Sequence, residues 1–278
     1  MKHFEGQPAK SLSSPEVRHQ ELGKKLHDPA YLPSLKELKD YFDYQWHEGD
    51  KDGWYNYLGK EWERFSKDGI KHHEKVRYEV LTREHIQGLG KYIANRAAEY
   101  KASEEKPLKV LEVGAGDGRL THFLSQELPG SVDVVATDSF SNEIVSDFPV
   151  DIVRDDKHNS DPLSSIRKAI EKYQPDLIIS CWMRNGSDWT STFRQYPFVK
   201  EYIIIGGREL CGRLWETWGE IDYYADKKDR PQGEPPFKKD GFEEKYLANL
   251  NQFQVCRIDA GPGDETHHSI TVSFRRST

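Results

Sequence analysis

The stretch Lys109-Val-Leu-Glu-Val-Gly-Ala-Gly-Asp-Gly-Arg119 contains the pattern from which the architecture of this chain can be inferred. Its first five residues have the apolar character of a short buried strand, and a loop with three glycines follows. Apolar residues at helical spacing then run from Leu120 to Leu128. Glycines let the backbone approach a ligand closely, and the free N–H groups of a helix N-terminus favour an anionic group. The stretch therefore predicts a ligand-binding loop between a strand and a helix.

Strands and helices alternate along the chain after this loop. Apolar patterns predict four more strands and one more helix, with the strands at Val132–Thr137, Val150–Val153, Asp176–Cys181 and Glu201–Ile205 and the helix at Pro162–Tyr173. This alternation predicts an α/β fold with a parallel sheet that is covered on both faces. Phe253–Ile258 and Ser269–Phe274 alternate apolar and polar residues around a Gly/Pro turn, which predicts a terminal antiparallel hairpin.

Three parts of the chain differ in pattern. Residues 1–30 have little periodicity and are predicted to form a flexible arm. Residues 31–105 contain apolar residues at helical spacing and are predicted to form an N-terminal helical region, in which Thr82 is the N-cap of the last helix. Residues 106–278 contain the strands and the glycine loop. We therefore expect a ligand-binding α/β domain that is preceded by helices on its substrate side.

The charge and composition of the chain argue against several classes of protein. Its net charge is −7, and Lys and Arg are interspersed with Asp and Glu, so no basic stripe predicts a nucleic-acid partner. No segment approaches the roughly 18 apolar residues of a membrane span, and the first residues lack an apolar signal core. The cysteines Cys181, Cys211 and Cys256 have no disulfide or metal-ligand spacing. A cytoplasmic protein without a metal is predicted, and its oligomeric state is left open.

The glycine spacing and one acidic residue distinguish between possible nucleotide ligands. A dinucleotide fingerprint requires G-x-G-x-x-G, whereas the third glycine of this loop, Gly118, comes one residue earlier. No phosphate loop of the GxxxxGK type is present. Asp138 ends the next strand, 20 residues after Gly118, and a carboxylate there can accept both ribose hydroxyls of a nucleoside. This combination resembles the class I superfamily of methyltransferases that use S-adenosyl-L-methionine (SAM).

The resemblance implies a Rossmann-like, seven-stranded, mostly parallel sheet with a terminal antiparallel hairpin, an N-terminal helical lid and SAM as the cofactor. The residues that it implies for SAM binding are Glu112, Gly114, Ala115, Gly116 and Gly118 in the loop, Asp138 and Ser139 after the second strand, Asp155 and Asp156 after the third, and Ser180, Cys181 and Trp182 at the end of the fourth. A polar surface loop is the alternative for Asp155 and Asp156. The segments Pro175–Met183 and Trp215–Gly219 also resemble a methyltransferase-like subgroup, and this likeness implies nothing about the acceptor.

The methyl acceptor is predicted to be a small molecule that is methylated on nitrogen, oxygen or sulfur. Eight of the 22 residues from Tyr41 to Trp62 are aromatic, which suits a lid over a planar or cationic acceptor, although a helical layer packed on the sheet is the alternative. The loop Arg208–Trp218 is expected to leave the sheet at the ligand-binding edge. The predicted acceptor contacts are Trp46, Trp54, Tyr57, Met183, Arg184, Asn185, Trp215 and Trp218. Trp182 and Met183 could also contact the sulfonium of SAM, because an aromatic face attracts a cation. The alternative is that they are core residues.

No motif identifies a catalytic residue, so the catalytic assignment is limited to candidates. His47, His72 and His73 are candidate bases, and the alternative is that they are surface histidines in charged stretches. Asp188 could present a carboxylate to the acceptor, or it could be the N-cap of a helix that begins near Trp189.

Two other functions are compatible with the same glycine loop. A protein methyltransferase would need an open groove for a peptide, and a SAM-binding regulator or scaffold would lack a reachable acceptor cavity. Enzymes that methylate amino groups of nucleic acids have a Pro-Pro box at the end of the fourth strand, where this chain has Ser180-Cys-Trp-Met183. A base-flipping enzyme of that type is therefore not supported.

Overall fold

A computed structural model of the protein describes residues 15–38, 40, 79–139, 146, 148–154, 162–222, 226, 228, 230–256 and 269–277. Within these residues, nine strands form a seven-stranded sheet and a separate two-stranded sheet. The strands are β1 (Glu79–Val80), β2 (Leu108–Val113), β3 (Val132–Asp138), β4 (Asp151–Ile152), β5 (Leu177–Cys181), β6 (Glu201–Gly206), β7 (Phe242–Tyr246), β8 (Val255–Cys256) and β9 (Ile270–Arg276). The five strands predicted between residues 109 and 205 are therefore confirmed, and each of their ends differs from the prediction by at most one residue.

The seven-stranded sheet has the order β4-β3-β2-β5-β6-β9-β7. The first five strands in this order are parallel to one another, whereas β9 is antiparallel to both β6 and β7. The strand order reverses between β2 and β5, because the chain adds β3 and β4 on one side of β2 and the later strands on the other. The Rossmann-like, mostly parallel sheet with antiparallel terminal strands is thus confirmed.

Helices cover both faces of this sheet. They are α1 (Pro15–His27), α2 (Arg83–Glu99), α3 (Arg119–Glu127), α4 (Pro162–Tyr173), α5 (Thr190–Arg194), α6 (Pro236–Lys239) and α7 (Ala248–Asn251), with a π-helix at Leu214–Trp218. Successive side chains of a strand point to opposite faces, so Ile203 packs with α2 and α3 while Ile204 packs with α4 and α5. Thr82 is the N-cap of α2, as predicted, and its side chain accepts a hydrogen bond from the His85 N–H. None of the helices in the described ranges is both long and apolar enough to span a membrane.

The predicted hairpin is correct in type but wrong in its first strand. Besides β6, the strand that pairs with β9 is β7, whereas β8, inside the predicted strand 253–258, pairs with β1. The sequence of β7 is Phe-Glu-Glu-Lys-Tyr, and only Phe242 is buried. An edge strand with this many charged residues shows no apolar alternation, which is why the pattern missed it.

The segment before the main sheet packs against the N-termini of two helices. Part of the predicted flexible arm is helical, because α1 covers Pro15–His27. Leu22 and Leu26 lie four residues apart, on the same side of this helix, and Leu26 is 6% exposed. Farther along, the Arg83 N–H donates to the Pro33 carbonyl oxygen (2.8 Å), and the Arg119 Nη2 donates to the carbonyl oxygen of Tyr31 (3.1 Å). The chain around residues 31–38 therefore lies at the ends of α2 and α3 that follow β1 and β2.

A buried ion pair lies where β6 begins, at the edge of the sheet opposite to the one at which β2 leads into the glycine loop. The Arg96 Nε and Glu201 Oε2 atoms are 2.5 Å apart, and their side chains are 7% and 0% exposed. The hydroxyl groups of Tyr92 and Ser273 also donate to Glu201 Oε1, each over 2.6 Å. This network joins α2 to β6 and β9, far from the glycine loop along the sheet.

Candidate functional site

Three strand ends form one surface, here called the carboxyl edge. β2 continues into the glycine loop, β3 ends at Asp138 and β5 ends at Cys181. Glu112 of β2 is opposite Ala136 of β3 and Ile179 of β5, so these ends are level with one another. Neighbouring strands lie about 4.8 Å apart. Ligands of open α/β sheets bind where the strand order reverses, which in this sheet is between β2 and β5.

The glycine loop is packed at its first glycine and open at its second. Both Gly114 (φ 68°) and Gly116 (φ 57°) have left-handed backbone conformations. A Cβ on Gly114 would lie 2.8 Å from Cζ3 of Trp189, whereas a Cβ on Gly116 would meet no atom of the described residues within 4 Å. Ala115 between them is 9% exposed, and Gly118 directly precedes α3. The backbone of Gly116 therefore borders open space at the carboxyl edge.

Asp138 is tied directly to this open part of the loop. Its Oδ2 accepts a hydrogen bond from the Gly116 N–H over 2.9 Å. The Ala115 N–H donates to the carbonyl oxygen of Thr137, the preceding residue in β3. Ser139 follows Asp138 and is partly buried. The end of β3 and the glycine loop are thus held together, and a carboxylate is fixed beside the space at Gly116.

The side chain of Glu112 is hydrogen-bonded to α3, the helix that follows the glycine loop. Its side chain is 1% exposed, and its Oε2 accepts hydrogen bonds from both the backbone N–H (3.1 Å) and the hydroxyl (2.6 Å) of Thr121. Burial raises the pKa of Glu112 to about 8, and the nearby carboxylates of Asp117 and Asp138 raise it further, although the Thr121 hydrogen bonds oppose this shift. Glu112 therefore joins β2 to the first turn of α3, which fixes how the loop leaves the strand.

The end of β5 brings Ser180, Cys181 and Trp182 to the same edge. Ser180 is fully buried, and its Oγ has no hydrogen-bond partner among the described residues. Cys181 is partly buried, and desolvation raises the pKa of its thiol well above the usual value. Trp182 has a φ of +57°, an unusual value for a bulky residue, and its N–H donates to the Ile205 carbonyl oxygen over 2.8 Å. The backbone is therefore strained next to the glycine loop.

Glu79 is a member of this edge that the sequence analysis missed. Its carboxylate accepts hydrogen bonds from the Trp182 indole N–H (2.8 Å), the Ser269 hydroxyl (2.6 Å) and the Gln254 side-chain amide (3.1 Å). Glu79 is 9% exposed. The partners are 103 to 190 residues away in the chain, so no local sequence pattern could reveal them.

Trp189 was also missed as part of the loop environment. From its sequence context, Trp189 was predicted only to mark the beginning of a helix, and α5 does begin at the next residue, Thr190. Its ring packs against Gly114, and its backbone N–H donates to the sulfur of Met183 over 3.4 Å. The close approach of Trp189 explains why position 114 has no side chain.

The predicted acceptor residues that the structure describes divide into two groups. Met183 and Trp218 are 1% exposed, and the Trp218 indole donates to the Cys211 carbonyl oxygen, so both side chains belong to the core. This placement corrects the expectation that they line an acceptor surface. Arg184 and Asn185 are exposed, and Trp215 in the π-helix is partly buried. These three remain accessible at the loops that follow β5 and β6.

Asp188 accepts hydrogen bonds from the first residues of α5. Its Oδ1 accepts hydrogen bonds from the Thr190 N–H (3.1 Å), the Thr190 hydroxyl (2.6 Å) and the Thr217 hydroxyl (3.0 Å). Its Oδ2 accepts one from the Ser191 N–H over 3.2 Å. The N-cap position of α5 is Trp189, one residue after the predicted cap Asp188, but the Asp188 carboxylate accepts the first N–H groups of the helix and joins α5 to the π-helix.

Several predicted residues lie outside the described ranges. They are His47, His72, His73, Trp46, Trp54, Tyr57, Asp155 and Asp156. Among the residues that are described, no group of three or more His, Cys, Asp or Glu side chains is arranged to hold a metal ion.

Comparison with known proteins gives similarity at the level of structure. No family model matches the chain, and no curated protein matches it. The chain is similar to the CurJ carbon methyltransferase (13% identity, 69% of this chain and 54% of that chain, TM-score 0.36), to the plantazolicin methyltransferase BpumL in complex with SAH (11%, 95% and 99%, 0.35) and to a putative O-methyltransferase from Klebsiella pneumoniae (12%, 86% and 96%, 0.37). It spans about half the length of the CurJ chain.

The strand order of the chain itself establishes the fold. Five parallel strands are followed by an antiparallel pair in which β9 lies between β6 and β7. The sheet has the Rossmann-like strand order that the resemblance to class I methyltransferases implies.

Proposed function

We propose that this chain is a SAM-dependent methyltransferase that acts on a small molecule with a nitrogen, oxygen or sulfur acceptor atom. The observation that carries the proposal is the open space beside Gly116, which is bordered by the Asp138 carboxylate at the point where the strand order reverses. A nucleoside needs such a combination, because the bare backbone admits it and the carboxylate can accept its ribose hydroxyls.

The residues at the carboxyl edge fit SAM. The loop from Gly114 to Gly118 would contact the methionine half, and Asp138 would accept hydrogen bonds from the ribose, with Ser139 beside it. The Gly116 N–H already holds the Asp138 carboxylate at 2.9 Å, so little side-chain entropy remains to be lost when the ribose binds. Asp155 and Asp156 are proposed to contact the adenine. Glu112 would act indirectly, by holding the loop on α3.

SAM supplies an electrophilic methyl group on a sulfonium. The task of this chain is to align the acceptor with that methyl group and to exclude water from the site. Because burial raises the pKa of Cys181 well above its usual value, its thiol stays protonated and does not compete with the acceptor as a nucleophile. Arg184, Asn185 and Trp215 are the proposed acceptor contacts that remain accessible.

We assign SAM binding and coverage of the acceptor side to two successive parts of the chain. Residues 106–278 would bind SAM, and the region 31–105 would cover the acceptor side, because its described part around residues 31–38 packs at the N-termini of α2 and α3. A cytoplasmic location is proposed, since reducing conditions suit the free thiols of Cys181 and Cys211.

Gly116→Asn tests the proposed cofactor position. Asn tolerates a left-handed backbone, so the variant should fold, but its side chain would occupy the space proposed for SAM. We expect the affinity for SAM in calorimetric titrations to fall about ten- to hundredfold, the range that corresponds to overpacking a binding site.

Gly186→Asn is the matched control. Gly186 also has a positive φ (76°), and a Cβ added there would meet no atom within 4 Å in the described part of the chain, but it lies in the loop between β5 and α5. We expect this variant to bind SAM as the wild type does, with a comparable unfolding midpoint for both variants. Equal SAM affinities for the two variants would contradict the proposed cofactor position.

Label transfer tests the proposed reaction. The protein is incubated with SAM that has a radiolabelled methyl group and with a fractionated small-molecule extract. We expect label to enter a small molecule with the wild type and to be strongly reduced with Asp138→Ala. Label in protein fractions only would favour a protein methyltransferase, and SAM binding without any label transfer would favour a binding module, so either result would overturn the proposed acceptor.

A further inference from the structure

Both the backbone and the side chain of Trp182 are constrained by neighbouring residues. A left-handed backbone at a bulky residue is unfavourable and persists only where the surroundings enforce it. Here the Trp182 N–H bonds to the Ile205 carbonyl oxygen, and its Cα lies 3.7 Å from where a Cβ of Gly206 would be. The indole N–H is fixed by Glu79 at 2.8 Å. Backbone and ring are therefore both constrained from neighbouring strands.

The backbone of Trp182 follows β5, which is the neighbour of the strand that leads into the glycine loop. Ile179 of β5 is opposite Glu112 of β2, so Cys181 is level with Gly114 and Trp182 is one residue beyond it. Because β2 and β5 are neighbours, the backbones at Cys181 and Gly114 are separated by one strand spacing, about 4.8 Å. Trp182 is partly buried, which leaves part of its surface accessible at this edge.

Glu79 is itself held by a chain of buried hydrogen bonds. The Gln254 amide donates to Glu79 Oε1 (3.1 Å), and the Thr271 hydroxyl donates to Gln254 Oε1 (2.7 Å). Since the Thr271 proton is used in this bond, the His85 Nε2, 3.0 Å from Thr271 Oγ1, is the donor to that hydroxyl. His85 is fully buried, and desolvation lowers its pKa to about 4, so it donates as a neutral imidazole.

The direction of these bonds has an electronic consequence. From His85 through Thr271 and Gln254, each donor points toward the carboxylate of Glu79, and the Trp182 indole N–H points to the same carboxylate. Hydrogen bonds in series polarise one another in a buried environment. An indole that donates to a carboxylate has a more electron-rich ring, and an electron-rich ring face attracts a cation more strongly.

We propose that Glu79 is a positioning residue that orients and polarises the Trp182 indole, so that this ring favours SAM over its demethylated product S-adenosylhomocysteine (SAH). The inference rests on the proposed function. The sulfonium of SAM is a cation, whereas the thioether of SAH is neutral, so an aromatic wall at this position discriminates between them by charge. Discrimination of this kind favours release of the product after methyl transfer.

A double-mutant cycle on SAM and SAH affinity tests this proposal without an identified acceptor. The variants are Trp182→Leu, Glu79→Ala and the double variant, and calorimetry measures the dissociation constants of both ligands. Trp182→Leu should lower the preference for SAM over SAH by about two- to thirtyfold, the range of a cation–π contact. Glu79→Ala should lower it in the same direction by a smaller factor. The double variant should match Trp182→Leu alone, because Glu79 acts through the ring.

Two further variants separate this role from a general loss of structure. Asp176→Ala removes an acidic residue just before β5, at the opposite edge of the sheet, and should leave the SAM preference unchanged. If Glu79→Ala does not fold, Trp182→Phe removes the same hydrogen bond from the other side and should lose part of the preference. Glu79→Gln keeps an acceptor oxygen for the indole N–H but removes the charge of the carboxylate, so it should lose less of the preference than Glu79→Ala.

The outcomes distinguish failure of this inference from failure of the proposed function. A wild type that binds neither SAM nor SAH would overturn both. A wild type that binds SAM, with variants that weaken SAM and SAH by equal factors, would overturn only the role given to Trp182. Effects of Glu79→Ala and Trp182→Leu that multiply in the double variant would show that Glu79 does not act through the ring.

Discussion

Replacing Arg96 with Met is expected to lower the free energy of unfolding by about 3–5 kcal/mol, the usual cost of removing one partner from a buried ion pair. The Glu201 carboxylate is 0% exposed, and Arg96 Nε contacts it at 2.5 Å. The Tyr92 and Ser273 hydroxyls would remain as hydrogen-bond donors, and Arg275, 26% exposed, lies 3.8 Å away. These groups do not replace the lost buried cation. Urea denaturation at neutral pH measures the change.

Two controls isolate the buried charge as the cause. Lys36→Ala breaks an exposed pair with Asp40, in which the side chains are 81% and 57% exposed, and should leave the free energy of unfolding nearly unchanged. Adding Glu201→Leu to Arg96→Met removes the stranded carboxylate and should recover a large part of the lost stability. A double variant that is less stable than Arg96→Met alone would contradict this explanation.

Glu112→Gln is expected to remove a pH dependence of stability on the order of 3 kcal/mol between pH 5 and pH 8. The pKa of Glu112 is raised in the folded protein from 4.5 to about 8. Between these two values the folded state holds a proton that the unfolded state releases. The free energy of unfolding contributed by this group is therefore fully present below pH 4.5 and is lost as the pH rises toward 8.

Comparing the wild type with Glu112→Gln at each pH removes the contribution of all other titrating groups to the free energy of unfolding. Gln resembles the protonated carboxyl group, and its amide oxygen can still accept both hydrogen bonds from Thr121. The wild type should lose stability relative to Glu112→Gln as the pH rises from 5 to 8 in urea titrations. Parallel pH profiles for the two proteins would show that Glu112 is ionised in the folded state over this range.

The parts of the fold that could be predicted are those in which local pattern and tertiary environment agree. Strands such as β2 and β6 are buried on both faces, so their apolar runs are visible in the sequence. The glycine loop was visible because left-handed backbone and close packing select glycine at Gly114. β7 was missed because its charged side chains face solvent at the end of the sheet.

The parts of the site that could not be predicted depend on contacts between distant segments. Glu79 is important only because Trp182, Gln254 and Ser269 converge on it, and nothing in the residues around position 79 marks this. Met183 illustrates the opposite error, since its place after a strand suggested an accessible wall but its side chain turns into the core. Residue type and spacing identify a cofactor loop more readily than they identify an acceptor pocket.

The central claim is that the space beside Gly116 and Asp138 binds SAM. Calorimetric titration of the wild-type protein with SAM, and separately with NAD, tests it most directly. We predict saturable binding of one SAM per chain, no heat of binding with NAD, and SAM binding that is weakened by about 1–3 kcal/mol in Asp138→Ala, the cost of lost hydrogen bonds to a charged group. Absence of SAM binding by the folded protein, saturable binding of NAD, or unchanged SAM affinity in a folded Asp138→Ala variant would contradict the claim.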